Sequence, residues 1–193
     1  MSKLITIPEP LRSSRQGAQM EALLSRLSNM PWFASASLEE NRMQAETALS
    51  AFGCALQMEK IQVRWLTKRE VADAVKSNEL ATDPLWRKLA DIPARIRRAA
   101  EERERETWLA FALDDVPEHV FHRAYDGAFR AFQSCGETVV FHAVGTALYV
   151  SGLSAAYEML SDVLGTNPFL PLIDAMETGH FPVAVLDGRI CAC

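Results

Sequence analysis

Asp115-Val116-Pro117-Glu118-His119-Val120-Phe121-His122-Arg123-Ala124-Tyr125-Asp126-Gly127-Ala128-Phe129-Arg130-Ala131-Phe132 is the stretch that decides the fold. Val120, Phe121, Ala124, Tyr125, Ala128, Phe129 and Phe132 recur three and four apart, the spacing of one face of an α-helix. Asp115-Val116-Pro117 reads as a helix start, since proline fits a first turn that needs no N–H donor. Cys135-Gly136 supplies the stop. The spacing predicts a buried stripe with Phe129 near its centre. So much aromatic bulk on one face needs a large covering layer, which implies several further helices.

Downstream, Glu137–Gly165 predicts one or two more helices. A hairpin over Val139–Val144, turning at Gly145-Thr146, competes because β-branched residues dominate there. Ala143, Ala147 and Ser151, each four apart, favour helix. Pro171–Thr178 reads as a short helix stopped by Gly179, and Val183–Leu186, Asp187-Gly188, Arg189–Cys191 as a type I′ hairpin.

Upstream, Ser14–Leu27 predicts a helix with Met20, Leu23, Leu24 and Leu27 inward, stopped at Asn29-Met30-Pro31 and followed by a Trp32-Phe33 anchor. Ser37-Leu38-Glu39-Glu40 is a capping-box pattern opening a helix that turns Met43, Ala48, Leu49, Phe52 and Leu56 inward. Ile61–Trp65 alternates like a strand, and Thr67-Lys68-Arg69-Glu70 repeats the capping box before a helix through Val75. Asp83-Pro84 starts a segment with Leu85, Trp86 and Leu89 on one side, and Pro93 restarts the chain as a charged helix from Ala94 to about Leu113. The expectation is an α+β, predominantly α-helical fold: a single multi-helix domain over residues 1–193. A small C-terminal β-hairpin completes it, joined by the strand at 61–66.

Charge is unevenly spread. Residues 1–106 hold 17 Lys/Arg against 15 Asp/Glu, whereas residues 107–193 hold 3 against 10, a balance of −7. A nucleic-acid binder needs the opposite, a basic face that neutralises phosphates. Thr138 to Tyr157 runs 20 residues without a formal charge, enough to span a bilayer. His142, Thr146, Ser151, Ser154 and two glycines interrupt it without a flanking Lys/Arg cluster, so the expectation is a core helix and no membrane partner. Four cysteines are too few for a disulfide scaffold and fit no common zinc spacing, and Met1–Pro10 lacks a secretory pattern. Reduced thiols in a cytoplasm are expected.

Two segments carry a resemblance. Ala45-Glu46-Thr47-Ala48-Leu49 with Val63-Arg64-Trp65 resembles the opening of a loose group of uncharacterised bacterial proteins. Asn167-Pro168-Phe169-Leu170-Pro171-Leu172, then Gly179-His180-Phe181-Pro182-Val183 and Asp187-Gly188, is similar to that group's closing pattern. The resemblance implies helices followed by a hairpin, and no catalytic residue.

Three clusters could carry chemistry. His119 and His122 lie three apart on the deciding helix, so both imidazoles could meet one metal, with His142 or His180 completing the site. The competing reading is two histidines flanking a core stripe. Cys191 and Cys193 on a strand would point to one side and could hold a soft metal or meet a redox partner. Arg95, Arg97 and Arg98 are interleaved with glutamates, and Arg97–Glu101, Arg98–Glu102 and Glu101–Arg105 are four-apart pairs suited to a solvated helix. No phosphate-cradling loop or nucleophile elbow is present. The resulting expectation is a non-catalytic bacterial protein that binds another protein through its acidic C-terminal half, self-association being compatible with it. No cofactor is expected. The alternative is a metal-dependent enzyme using His119 and His122.

Overall fold

The structure, a computed structural model, describes residues 5–35, 39, 41–58, 61–77, 84–186 and 189–193. It is 71% helical with a small three-stranded sheet, the α+β class that the periodicities predict. After a single turn, α1 (Glu9–Arg12), comes α2 (Arg15–Asn29), capped where the Gly17 N–H donates to the Ser14 hydroxyl at 3.1 Å. Met20, Leu23, Leu24 and Leu27 are all buried, as are Trp32 and Phe33.

The helix α3 (Arg42–Ala55) buries Ala45, Ala48, Leu49 and Phe52. Met43 is 82% exposed, contrary to the inward position expected of it. At 100° per residue it falls opposite the arc that Ala45, Ala48, Leu49 and Phe52 define. The Ser37–Glu40 capping box lies, except for Glu39, outside the described residues.

The capping box at the start of α4 (Lys68–Ser77) forms in full. The Thr67 N–H donates to Glu70 Oε2 at 2.8 Å, and the Glu70 N–H to Thr67 Oγ1 at 3.3 Å. The backbone N–H of Thr67 holds the Glu70 carboxyl below its ordinary pKa.

The charged helix departs from expectation at both ends. Pro93 sits inside α5 (Pro84–Glu101) rather than restarting the chain, and α5 stops at Glu101 well short of Leu113. A turn follows in which Glu104 has φ +52°. That turn carries Arg105 out of register with Glu101, and its guanidinium instead grips Asp162 at 2.7 and 3.0 Å and stacks on Trp108.

From there the chain is helical without a fresh start at Asp115. Helix α6 (Glu106–Ala110) runs through a π-helical turn, Phe111–Asp115, into α7 (Val116–Phe132), and Asp115 makes no side-chain cap. The Val116 N–H donates to the Phe111 carbonyl, five residues back. Pro117 follows at once; in a regular α-helix its ring would press on the carbonyl of Leu113, and the widened turn relieves this.

A 3-10 turn (Gln133–Cys135) and Gly136, at φ +106°, reverse the chain into α8 (Glu137–Met159), which is helix throughout, so the hairpin alternative does not form. Its second half is buried on all sides from Val150 to Met159. Among the described residues α8 is the one helix long and apolar enough to cross a membrane, and 67% of its apolar window is buried inside the fold. Buried Glu158 accepts from Asn167 Nδ2 at 2.8 Å, and the Phe169 N–H donates to Asn167 Oδ1 at 3.0 Å. This pins the turn after α9 (Ser161–Leu164) and leads into α10 (Leu170–Glu177).

The sheet closes the fold. β2 (Pro182–Leu186) pairs antiparallel with β3 (Arg189–Ala192), and β1 (Val63–Trp65) pairs parallel with β3, in the order β1-β3-β2. The strand expected at 61–66 is thus present but shorter, although the Leu66 N–H still donates to Ala192 at 2.7 Å. A parallel pair needs a long crossover, and here α4 to α10 supply it. The Asp187-Gly188 turn lies outside the described residues.

Candidate functional site

Helix α7 buries Val116, Val120, Ala124, Gly127, Ala128 and Phe132. Its packed arc is therefore rotated from the expected stripe, and the structure corrects the placement of Phe129. Phe121 is 36% exposed and Phe129 45%, with Tyr125 half-buried between them. The physical reason lies in the small residues. Ala124, Gly127 and Ala128 let neighbouring backbone approach closely; a Cβ on Gly127 would collide with the carbonyl oxygen and Cβ of Trp32. Long rings cannot occupy so close an approach, and they are displaced to its flank.

The displaced rings are ordered. Phe121, Tyr125 and Phe129, each four residues apart, stack in sequence at centroid separations of 6.1 and 6.1 Å. Phe141 of α8, 52% exposed, meets Tyr125 at 6.3 Å across the helix pair. Along α8 the outward stripe continues to Gly145, where an added Cβ would find nothing within 4 Å, and to half-buried Leu148. One face of the α7–α8 hairpin thus presents a contiguous aromatic surface.

Charged side chains of both signs flank that surface. Glu118 precedes Phe121 by three residues, Asp126 precedes Phe129 by three and Glu137 precedes Phe141 by four, so each neighbours a ring on its own helix face. All three are exposed, and α7 also exposes Arg123 and Arg130; Asp126 borders a hollow that Lys68, Arg123 and Arg130 line as well. Helix α8 contains no lysine or arginine. Other acids of the C-terminal half are occupied internally. Arg26 binds Asp174 and Glu177 at 2.5 and 2.7 Å, and Arg105 holds the Asp162 carboxyl below its ordinary pKa. Part of the −7 balance therefore ties the two halves of the chain together.

The structure does not gather the four histidines. His119 Nε2 lies 3.0 Å from the Ser28 hydroxyl, while His122 is exposed with its ring against Phe121 at 5.4 Å. His142 Nε2 donates to the Val183 carbonyl at 3.0 Å, and His180 meets Thr178 Oγ1 at 2.8 Å and the edge of Trp65. Among the described residues no three His, Cys, Asp or Glu side chains group as a metal ion requires. Cys191 and Cys193 are wholly buried at the end of β3, and burial pushes the Cys193 thiol up to about 12. At neutral pH that sulfur stays protonated, which makes it a poor nucleophile and metal ligand. Arg95, Arg97 and Arg98 are exposed on α5, remote in sequence from the aromatic face.

No protein-family model, curated protein or solved structure matches this chain. The aromatic face was missed because periodicity places a residue on an arc without saying how closely the neighbour approaches. The Ala124–Gly127–Ala128 run is the signal that could have found it.

Proposed function

We propose that this chain is a non-catalytic, cytoplasmic bacterial protein that works by docking another protein on the aromatic face of the α7–α8 hairpin. The observation that supports it is the exposed ladder Phe121–Tyr125–Phe129 with Phe141 beside it. A monomer gains nothing by exposing contiguous aromatic rings, whereas interfaces are enriched in them at their energetic centres. The reading keeps the acidic C-terminal half as the binding half and narrows it to one surface. A metal-dependent role for His119 and His122 draws no support from their separate surroundings.

The test is photo-crosslinking in cells, with the reactive amino acid placed at 129, 141 or, as a control, the exposed position 97. A single partner, identified by mass spectrometry and captured from 129 and 141 but not from 97, is the expected result. An identical pattern from all three positions, or none from 129 and 141, refutes the docking face.

A further inference from the structure

We propose that the hollow between α7 and the Met30–Ala34 segment binds a small hydroxyl-bearing phosphate monoester, at a site separate from the docking face. The hollow measures about 640 Å3, within the range of about 300–1,000 Å3 that small-molecule sites occupy. Its walls are the segment joining α2 to α3, Lys68 at the start of α4, and one side of α7. Gly127 lines it where α7 meets the Trp32 backbone. Arg123 stands four residues before Gly127 and Arg130 three after, so both long side chains share its helix face and flank that contact.

Charge selects an anion. Residues 107–193 hold three Lys/Arg in all, and two of them, Arg123 and Arg130, line this one hollow. Half-buried Lys68 joins them from α4. Asp126 is the one carboxylate of the lining among the described residues, so three cations meet one anion. None of the four is ion-paired among the described residues. Arg123 donates to the Ser28 carbonyl, which fixes its guanidinium and leaves further N–H groups for a ligand. A phosphate monoester brings about two negative charges at neutral pH and acceptor oxygens for all three cations.

Asp126 selects the rest of the ligand. A carboxylate repels phosphate oxygens and accepts hydrogen bonds, so beside the phosphate it needs a donor group. Hydroxyls on the carbon skeleton of the ester supply that donor without adding charge. A nucleic-acid strand needs an extended basic track, whereas α7 and α8 expose Glu118 and Glu137 beyond the hollow. Two features of the wall point to a segment shaped for more than packing. Phe33 is held at φ +60°, a left-handed conformation that strains a bulky residue. Trp32 is 5% exposed, and its indole N–H has no partner among the described residues.

The probes are glucose 6-phosphate, inorganic phosphate and glucose, titrated calorimetrically into the full chain. Glucose 6-phosphate should bind at least about tenfold more tightly than inorganic phosphate, and glucose should give no heat of binding. Lys68→Gln and Arg130→Gln should each weaken glucose 6-phosphate about tenfold while melting like wild type. Arg97→Gln, at an exposed position of α5, should bind as wild type does. Asp126→Asn is the sharpest arm because its two effects have opposite signs. Glucose 6-phosphate should bind more weakly to that variant, and inorganic phosphate more tightly.

Failure of both phosphates to bind saturably overturns the proposal. Losses as large in Arg97→Gln as in Arg130→Gln overturn it too, since they would report diffuse attraction and no site. If Asp126→Asn tightens both probes, the hydroxyl-bearing ligand is refuted. Crosslinking from 129 and 141 is read independently, so the docking face stands or falls apart from these titrations.

Discussion

Phe132 and Phe129 stand less than one turn apart on α7 and belong to different surfaces. Phe132 is wholly buried, its ring 6.0 Å from Phe33 and 5.8 Å from Phe181. Phe129 is 45% exposed, and its described ring partner is Tyr125, itself half-buried. The inner face joins distant parts of the chain: the Trp32-Phe33 anchor, α8 and the segment entering β2. Among the described residues the ring contacts of the outer face lie within α7 and between α7 and α8. Equal hydrophobicity therefore has two uses here, and the neighbouring backbone decides between them.

The sharpest break of that contrast is a pair of truncations. Phe132→Ala should cost about 3–5 kcal/mol, the loss of transfer energy together with an unfilled cavity. Phe129→Ala should cost less than about 1 kcal/mol, since water already reaches much of the ring. Urea melts measure both. Comparable losses would mean that the outer rings are structural, and the docking reading would lose its foundation.

The next largest effect concerns the close approach that separates the faces. Gly127→Ala would drive a methyl into the Trp32 backbone, which cannot yield as a flexible side chain can. A loss of about 1–3 kcal/mol is expected, despite the better helix propensity of alanine. A neutral or stabilising result in thermal melts would show that α7 is not held against Trp32 as described.

How far the sequence revealed this contrast follows from the range of the forces. Local signals were legible: the Thr67–Glu70 capping box and the α2 stripe both arise within a few residues and formed as read. The C-terminal hairpin was legible from the Asp187-Gly188 pair between two apolar runs and the Val63–Trp65 strand from alternation, and the three strands share one sheet. What failed depends on contacts far apart in sequence. Arg105 abandons Glu101 for Asp162, Pro93 is absorbed into α5, and α7 rotates because Trp32 lies against Gly127. The candidate site was legible in residue type and not in orientation. Aromatic rings at three- and four-residue spacing announce a surface that something covers, and whether the cover is the same chain is a tertiary fact.

A smaller effect probes the acidic half that carries the outer face. The Arg105 guanidinium hydrogen-bonds Asp162 and lowers its folded pKa below the unfolded value, so the pair's contribution is present above about pH 4 and is lost as pH falls. The Asp162 side chain is 35% exposed, so solvent screening limits the contribution to about 0.5 kcal/mol. Arg105→Gln should lower stability by that order at neutral pH and make the acid limb of the stability–pH curve shallower. An unchanged acid limb would show that this tie between the two halves carries no weight.

An effect of similar size has the opposite sign, and it separates stability from binding most cleanly. Gly145 lies in the middle of α8, where glycine costs about 0.5–1 kcal/mol relative to alanine through lost backbone freedom. Among the described residues nothing opposes a methyl there, because an added Cβ has no neighbour within 4 Å. Gly145→Ala should therefore raise stability by about 0.5–1 kcal/mol, read as a higher urea midpoint with an unchanged slope. Packing of this chain alone gives no reason for glycine at that position. The outer face does: the missing side chain keeps the stripe open between Phe141 and Leu148. The same substitution should accordingly weaken partner crosslinking from positions 129 and 141 while the isolated protein becomes harder to unfold. A variant that gains stability and binds as before would show that the notch takes no part in docking, and a variant that loses stability would place an unseen neighbour against α8.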